Sequence, residues 1–211
     1  MYLLYIFDCK TQRKEILRID PIGDLIKKWS IGHHFGHGIS VTDESNVLLA
    51  LKYKNKLNEY SPDGQLIREV YVSHIFMSYP RDAVRLINGH FVVISGTFGH
   101  DMSEPHRVCI VDSSGKPKKS FGGKGGSAIG EMKSPVCLAV DRNGFVMVVD
   151  QLNNRILLLD SDLEFKREIP WRKAKHRLLD PEKILLDESN GRLLVTEGKW
   201  SNAQISIFEF N

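Results

Sequence analysis

The chain has 211 residues, with 29 basic and 26 acidic side chains for a net charge of +3, and 42% of it is hydrophobic. That is enough apolar chain for one cored domain, and too little net charge to call for nucleic acid on that ground alone. Cys9, Cys109 and Cys137 lie in apolar runs without metal spacing. The odd count argues against a disulfide framework and leads us to expect a reducing, cytoplasmic setting. No run nears the roughly 18 apolar residues of a membrane helix, so no membrane partner is expected, and the early run YLLYIF lacks the flanks of a signal peptide.

In chain order, short apolar runs alternate with turns rich in Asp, Gly, Asn and Ser, the pattern of antiparallel strands joined by tight connections. Residues 2–8 (YLLYIFD), 15–20 (EILRID) and 24–30 (DLIKKWS) are three strands, the second to fourth of a unit over 1–31. Residues 37–73 carry HGISVTDESNVLLALKY, NKLNEYSPDG and QLIREV. Residues 80–121 give PRDAVRLINGHFVVISG, a polar insert over 97–106, RVCIVDSSG and KPKKSFG. The unit over 135–170 is the clearest: PVCLAVD, FVMVVD, RILLLD and EFKREI, with polar turns at 141–144 and 151–154. A last stretch, 181–211, holds PEKILLDESNGRLLVTEG and, after KWSNA, QISIFEF. Each unit is too short to bury its own face. Recurrence at about 40–50 residues with four strands per unit is the signature of a β-propeller.

The expected fold is therefore all-β: one propeller domain of four-stranded antiparallel blades. About five blades are present, three complete (37–73, 80–121, 135–170) and two partial (1–31, 181–211). The missing strands suggest the C-terminal part of a longer six-bladed ring; a five-bladed ring with two defective blades is the alternative. Either arrangement leaves an unpaired blade edge, through which oligomers are expected to form.

From Phe121 onward the sequence resembles an NHL repeat: F-G-x-x-G, then G-x-x-x-x-P, A-V-D-x-x-G, V-V-D, N-N-R-I and D-S-D-L. Gly130, Pro135, Asp141, Gly144, Asp150, Asn154 and Arg155 match the pattern, with Phe121, Gly122 and Ile156. The unit over 37–73 has SPDG at 61–64 but no visible Asp-Asn-Arg equivalent, and the second turn of 80–121 has diverged. The ending GKWSNAQISIFEF is similar to the closing blade of NHL propellers in tripartite-motif proteins. The resemblance implies a non-catalytic scaffold that recognises a protein partner, as at the substrate-recognising end of a ubiquitin ligase, or that binds RNA. C-x-x-C pairs are absent, so the zinc domains that carry ligase chemistry are not in these residues.

In a propeller, the loops from second to third strand and from fourth to first strand share one face, and loops on a rigid scaffold carry function. That mapping places Tyr53, Lys54 and Tyr79 on the face. It also places there Trp171, Arg172, Lys173, Lys175, His176 and Arg177, with Lys199 and Trp200 in the adjacent loop. Such cations neutralise carboxylates or phosphates, and aromatic rings stack on unpaired bases. A protein partner is the first expectation, single-stranded RNA the alternative, and a merely solvated loop the competing explanation.

Other candidates carry less. His33, His34 and His37 have no carboxylate or cysteine at ligand spacing, so no metal is expected there. The glycine-rich run 122–126 lacks a Ser or Thr after Lys124, and reads as a flexible connection rather than a phosphate loop. Asp141, Asp150, Asp160 and Asp187 sit at strand ends, where they are expected to accept hydrogen bonds from turn backbone. Arg155 is expected to pack across neighbouring blades. A propeller lyase or lactonase is the enzyme-class alternative, and would need inward carboxylates or histidines holding a metal. The first strands, GISV, DAVRL, VCLAV and KILL, are mainly apolar, so neither catalysis nor a cofactor is expected.

Overall fold

A computed structural model describes residues 4–8, 14–32, 36–97, 105–169, 178–198 and 202–210. The first sheet pairs β1 (Leu4–Asp8), β2 (Glu15–Ile19) and β3 (Leu25–Ser30) in that order. The second is β4 (Gly36–Val41), β5 (Val47–Leu51), β6 (Lys56–Tyr60) and β7 (Leu66–Tyr71). The third holds β8 (Pro80–Arg85), β9 (Phe91–Ser95), β10 (Arg107–Val111) and β11 (Pro117–Gly122). The fourth holds β14 (Pro135–Val140), β15 (Val146–Asp150), β16 (Arg155–Leu159) and β17 (Phe165–Glu168). The last is β18 (Lys183–Asp187), β19 (Arg192–Glu197) and β20 (Gln204–Glu209). The class is all-β, as expected, and each strand falls within a residue or two of its apolar run.

The turns follow from side-chain oxygens that mimic backbone acceptors. Asp141 Oδ1 accepts from the amides of Asn143 and Phe145, and Asp160 Oδ1 from those of Asp162 and Glu164. Asp20 and Asp112 repeat the arrangement. Each such turn satisfies amides that would otherwise point into water and fixes the register of the hairpin it closes.

One expectation needs correction. The glycine-rich run is not a flexible connection: β12 (Lys124–Gly125) pairs in parallel with β13 (Glu131–Met132). Glu131 ties this ribbon by an ion pair to Lys124 at 3.0 Å and a hydrogen bond from the Ala128 amide at 3.1 Å.

The chain divides into two compact units, residues 1–93 with 111–117, and residues 94–110 with 118–211. In the first, Ile16 and Trp29 of the first sheet pack on Val47, Leu49, Leu51 and Tyr60 of the second. β4 and β8 run so close that a methyl group on Gly38 would stand 2.5 Å from the Arg81 carbonyl oxygen. In the second unit, Met147, Val149 and Ile156 of the fourth sheet pack on Ile184, Leu193 and Val195 of the last. Each such aliphatic side chain contributes about 1.5–3 kcal/mol when fully buried. Strands β5, β9 and β15 are buried on both faces, which explains their apolar runs VLLAL, FVVI and VMVV.

Candidate binding face

The connection from second to third strand has one repeated geometry. In the second sheet it is a 3-10 turn, Lys52–Lys54, closed by Asn55 in the left-handed region at φ 48°. In the fourth sheet it is Gln151–Asn153, closed by Asn154 at φ 52°. Both asparagine side chains reach forward to the start of the next sheet. Asn55 Oδ1 accepts from the Tyr79 amide at 3.1 Å, and Asn154 Oδ1 from the Asp180 amide at 2.7 Å. Between these two, the fully buried His106 does the same with Nδ1, accepting from the Ser134 amide at 2.9 Å. Tyr79, Ser134 and Asp180 each immediately precede a proline, and each is left-handed, at φ 59°, 58° and 53°. A non-glycine residue holds that conformation only where its surroundings over-determine it. The latch from the preceding sheet supplies part of that constraint.

This corrects the sequence reading of residues 37–73. Asn55-Lys56-Leu57 occupies the place of Asn154-Arg155-Ile156. The ion pair Lys56–Glu69 likewise matches Arg155–Glu168, since each acid lies opposite the second residue after its base. The sequence signal was the Asn-basic-apolar triplet, hidden because Leu51 stands where the fourth sheet has Asp150.

Around the first latch, the structure brings together three predicted residues, Tyr53, Lys54 and Tyr79. The rings of Tyr53 and Tyr79 meet edge to face with centroids 6.0 Å apart. Lys52, which sequence reasoning missed, lies over both, its Nζ 5.2 Å from the Tyr53 centroid and 5.6 Å from that of Tyr79. A cation over two aromatic faces is held by their quadrupoles. Burial, and secondarily the charge of Arg81, hold the Lys52 ammonium below its ordinary value. Arg81 is itself fully buried, and burial lowers it to about 10 against the opposing pull of Asp82.

Beside this cluster a surface cavity of about 700 Å³ is lined by residues 54–55, 71–74, 76 and 114–117. Its charged lining is wholly basic or titratable to basic: Lys54, His74 and Lys116. Tyr71 and Phe76 add half-exposed aromatic surface. Chemically, this arrangement can receive a carboxylate-bearing chain with an apolar or aromatic side group.

In the second unit the residues that match the repeat pattern hold turns and strand ends. Pro135 opens β14, Gly130 takes φ 86° in the ribbon turn, and Asp141 with Gly144 closes the hairpin after β14. Asp150 departs from the expectation set for it. It is fully buried and accepts from the Lys133 amide at 2.6 Å and, within its own turn, from the Asn153 side chain at 2.7 Å rather than from turn backbone. Burial raises its carboxyl above the ordinary range, against hydrogen bonds from Asn153, the Lys133 amide and Arg155. Glu197, one sheet later, holds the Leu179 amide at 2.8 Å in the same manner. Arg155 does not simply pack across sheets. It bonds Asp150 at 2.8 Å, Glu168 at 2.6 Å, and the carbonyls of Ser127 and Glu131 at 3.0 and 2.9 Å. It thereby clamps the glycine-rich ribbon. Burial alone would lower Arg155, but its pairing with Asp150 and Glu168 raises it.

Trp171, Arg172, Lys173, Lys175, His176, Arg177, Lys199 and Trp200 lie outside the described residues, as do His33 and His34. Among the described residues, no group of three or more His, Cys, Asp or Glu is placed to hold a metal ion. Nor is any helix there long and apolar enough to cross a membrane.

No protein-family model matches the chain, and no curated protein matches it in sequence. Solved structures do match it in fold. Virginiamycin B lyase from Staphylococcus aureus aligns with a TM-score of 0.53 at 14% identity, over 93% of this chain and 63% of that one. Hydrazine synthase from Kuenenia stuttgartiensis gives 0.64 at 15%, over 92% and 58%. The WD40 β-propeller domain of Doa1 gives 0.60 at 16%, over 93% and 58%. This chain thus spans less than two thirds of each of those chains. Identities this low carry fold and not activity, and the three differ in what they are named for. With its succession of short antiparallel sheets and these likenesses in fold, the chain folds as a β-propeller.

Proposed function

We propose that this chain is a non-catalytic binding module of NHL type, whose loop face receives an acidic segment of a protein partner. The observation that carries the reading is the cavity beside the Lys52–Tyr53–Tyr79 cluster, lined by Lys54, His74, Lys116 and aromatic surface with no carboxylate in the lining. An acidic chain gains charge complementarity there, and an apolar side group gains burial against Phe76 and Tyr71. In a tripartite-motif setting the segment would belong to a ligase substrate. A non-catalytic role is supported by the use made of the buried polar groups: His106, Asp150 and Glu197 each hold a backbone amide at a sheet entry. A reducing, cytoplasmic setting is part of the proposal. Cys109 and Cys137 are buried, and burial pushes the Cys109 thiol up to about 12, where it is inert.

The test is fluorescence anisotropy of a labelled peptide alternating Glu and Phe, with single-stranded polyuridine in parallel. The peptide should bind the wild type, and Lys54→Glu with Lys116→Glu should weaken it at least about tenfold, as loss of complementary charge does. Unchanged peptide affinity in the double variant would sink the reading. Tighter binding of polyuridine, with a log–log salt slope near about −0.7 per neutralised phosphate, would favour RNA instead.

A further inference from the structure

Three basic side chains line the cavity of the first unit, and each is carried by a segment that backbone contacts hold in place. Lys54 ends the 3-10 turn before Asn55, whose carbonyl accepts from the Val72 amide at 2.9 Å. His74 lies in the next turn, where the Ser73 carbonyl accepts from the amides of Phe76 and Met77 at 3.1 and 2.8 Å, and the Met77 side chain is buried. Lys116 closes the turn after β10. That turn lies so tightly on the end of β7 that a methyl group on Gly115 would stand 1.9 Å from the Tyr71 carbonyl oxygen. One wall is fixed as well: the Tyr71 hydroxyl donates to Glu69 at 3.4 Å, and the Lys56 ammonium stands 5.6 Å from the Tyr71 ring centroid. Bases carried on backbone held in this way lose little freedom when a ligand arrives.

Other bases of the same unit are matched by acids. Arg68 and Arg85 share the buried Glu59, and Lys56 pairs with Glu69. Among the described residues, Lys54, His74 and Lys116 have no ion pair, and no carboxylate lines their cavity. Asp112, in the turn that carries Lys116, uses Oδ1 to accept from the Ser114 amide at 3.0 Å, the Ser114 hydroxyl at 2.6 Å and the Lys116 amide at 3.0 Å. A partner's carboxylate would bring one negative charge and two oxygens to the three bases. A phosphate ester brings about 1.5–2 charges at pH 7 and three strong acceptor oxygens. Ser73, also in the lining, adds a neutral hydroxyl donor for the same group.

Resting on the reading that this cavity receives an acidic segment of a protein partner, we propose that the segment it takes is phosphorylated. Lys54, His74 and Lys116 hold the phosphate, and an apolar side chain flanking it packs on Phe76. Hydrogen bonds in which both members are charged are the strong ones, so one compact dianion gathers more from three fixed bases than carboxylates spread along a chain do.

Fluorescence anisotropy on the full chain with three labelled peptides tests this. The first is the Glu–Phe peptide, the second the same peptide with its central Glu replaced by phosphoserine. The third has an additional Glu beside the central one, which matches the phosphopeptide in charge. The phosphopeptide should bind at least about tenfold more tightly than either of the others, as one more hydrogen bond between charged groups would make it. Lys54→Gln, His74→Gln and Lys116→Gln alter exposed side chains, and circular dichroism verifies that the variants fold. Each should lower the preference for phosphate, and the three together should abolish it. A phosphopeptide no tighter than the charge-matched peptide overturns the proposal, while the acidic-segment reading stands on the Glu–Phe peptide. A preference that survives in the triple variant puts the phosphate elsewhere and overturns it too. If none of the three peptides binds, both readings fall.

Discussion

Asn55 makes a test of the latch that separates its two energetic parts. Its side chain accepts from the Tyr79 amide at 3.1 Å, and its own backbone sits at φ 48°. Asn55→Gly removes the acceptor but relieves the backbone. The lost bond costs about 0.5–1.5 kcal/mol, and the freer unfolded chain adds about 0.4–1 kcal/mol. Asn55→Ala loses the same bond and also the short polar side chain that lets asparagine tolerate the left-handed region, which adds up to about 1–2 kcal/mol, for a total of about 0.5–3.5 kcal/mol. Asn55→Asp keeps the acceptor and tolerates the conformation, so it should stay within about 0.5 kcal/mol of wild type. Urea unfolding with a shared m-value measures all three. Peptide affinity in folded Asn55→Gly should also fall, because Tyr79 is no longer fixed beside Tyr53. If Asp proves as costly as Ala, the bond to Tyr79 carries no stability and the reasoning fails.

Four further outcomes are expected. His106→Asn places an oxygen where Nδ1 now accepts from Ser134, and should be about 1–2 kcal/mol more stable than His106→Ala in the same urea assay; equal losses would remove the latch role. Gly89→Ala meets only the cost of its φ of +81°, about 1–2 kcal/mol, because nothing lies within 4 Å of the new methyl. Gly115→Ala drives its methyl into the Tyr71 carbonyl and should cost about 3 kcal/mol or more by calorimetry. Hydrogen bonds from Lys56, Lys124, Lys166 and Asn190 hold Glu69, Glu131, Asp160 and Asp187 below their ordinary values. The folded state therefore binds fewer protons than the unfolded one. Their stabilisation is complete above the ordinary carboxylate range, near about pH 4–4.5, and is lost as pH falls through the lower folded values. Asp150, raised by burial, opposes this, contributing at low pH and losing its contribution as pH rises through its folded value. Glu44 is lowered as well, chiefly by a backbone hydrogen bond. With five carboxylates against one, the melting temperature should fall on acidification below about pH 4.5; a rise would refute the balance.

The strands were legible because their determinants are local. An apolar run of five residues and an Asp that caps the following turn lie within a few positions of each other. The cavity was not legible as a whole, because Lys54, Phe76 and Lys116 come from three separate connections that meet only in the folded unit. The latch in residues 37–73 was concealed by substitutions around it: Leu51 replaces the buried acid, and Lys56 the arginine, leaving Asn55 as the sole identical member. His106 was harder still. It is the last residue of a long polar insert and performs an asparagine's task with a ring nitrogen. The order in the glycine-rich ribbon was invisible because Arg155 and Asn153, which hold it, lie more than 20 residues downstream, at 2.8–3.0 Å from its carbonyls.

The direction of the three latches has a consequence for synthesis. In every case the acceptor belongs to a sheet already made, and the amide it binds opens the next one. A chain leaving the ribosome N-terminus first would thus find each finished hairpin presenting a docking atom for the residue just ahead of the following proline. The pre-proline residue is caught in its left-handed state before its own strands exist, so the starting register of each sheet is inherited from its predecessor. An error in one turn then propagates forward along the nascent chain and not backward. Ribosome-stalled intermediates ending after Pro80, Pro135 or Pro181 would gain protease resistance in steps, one sheet at a time.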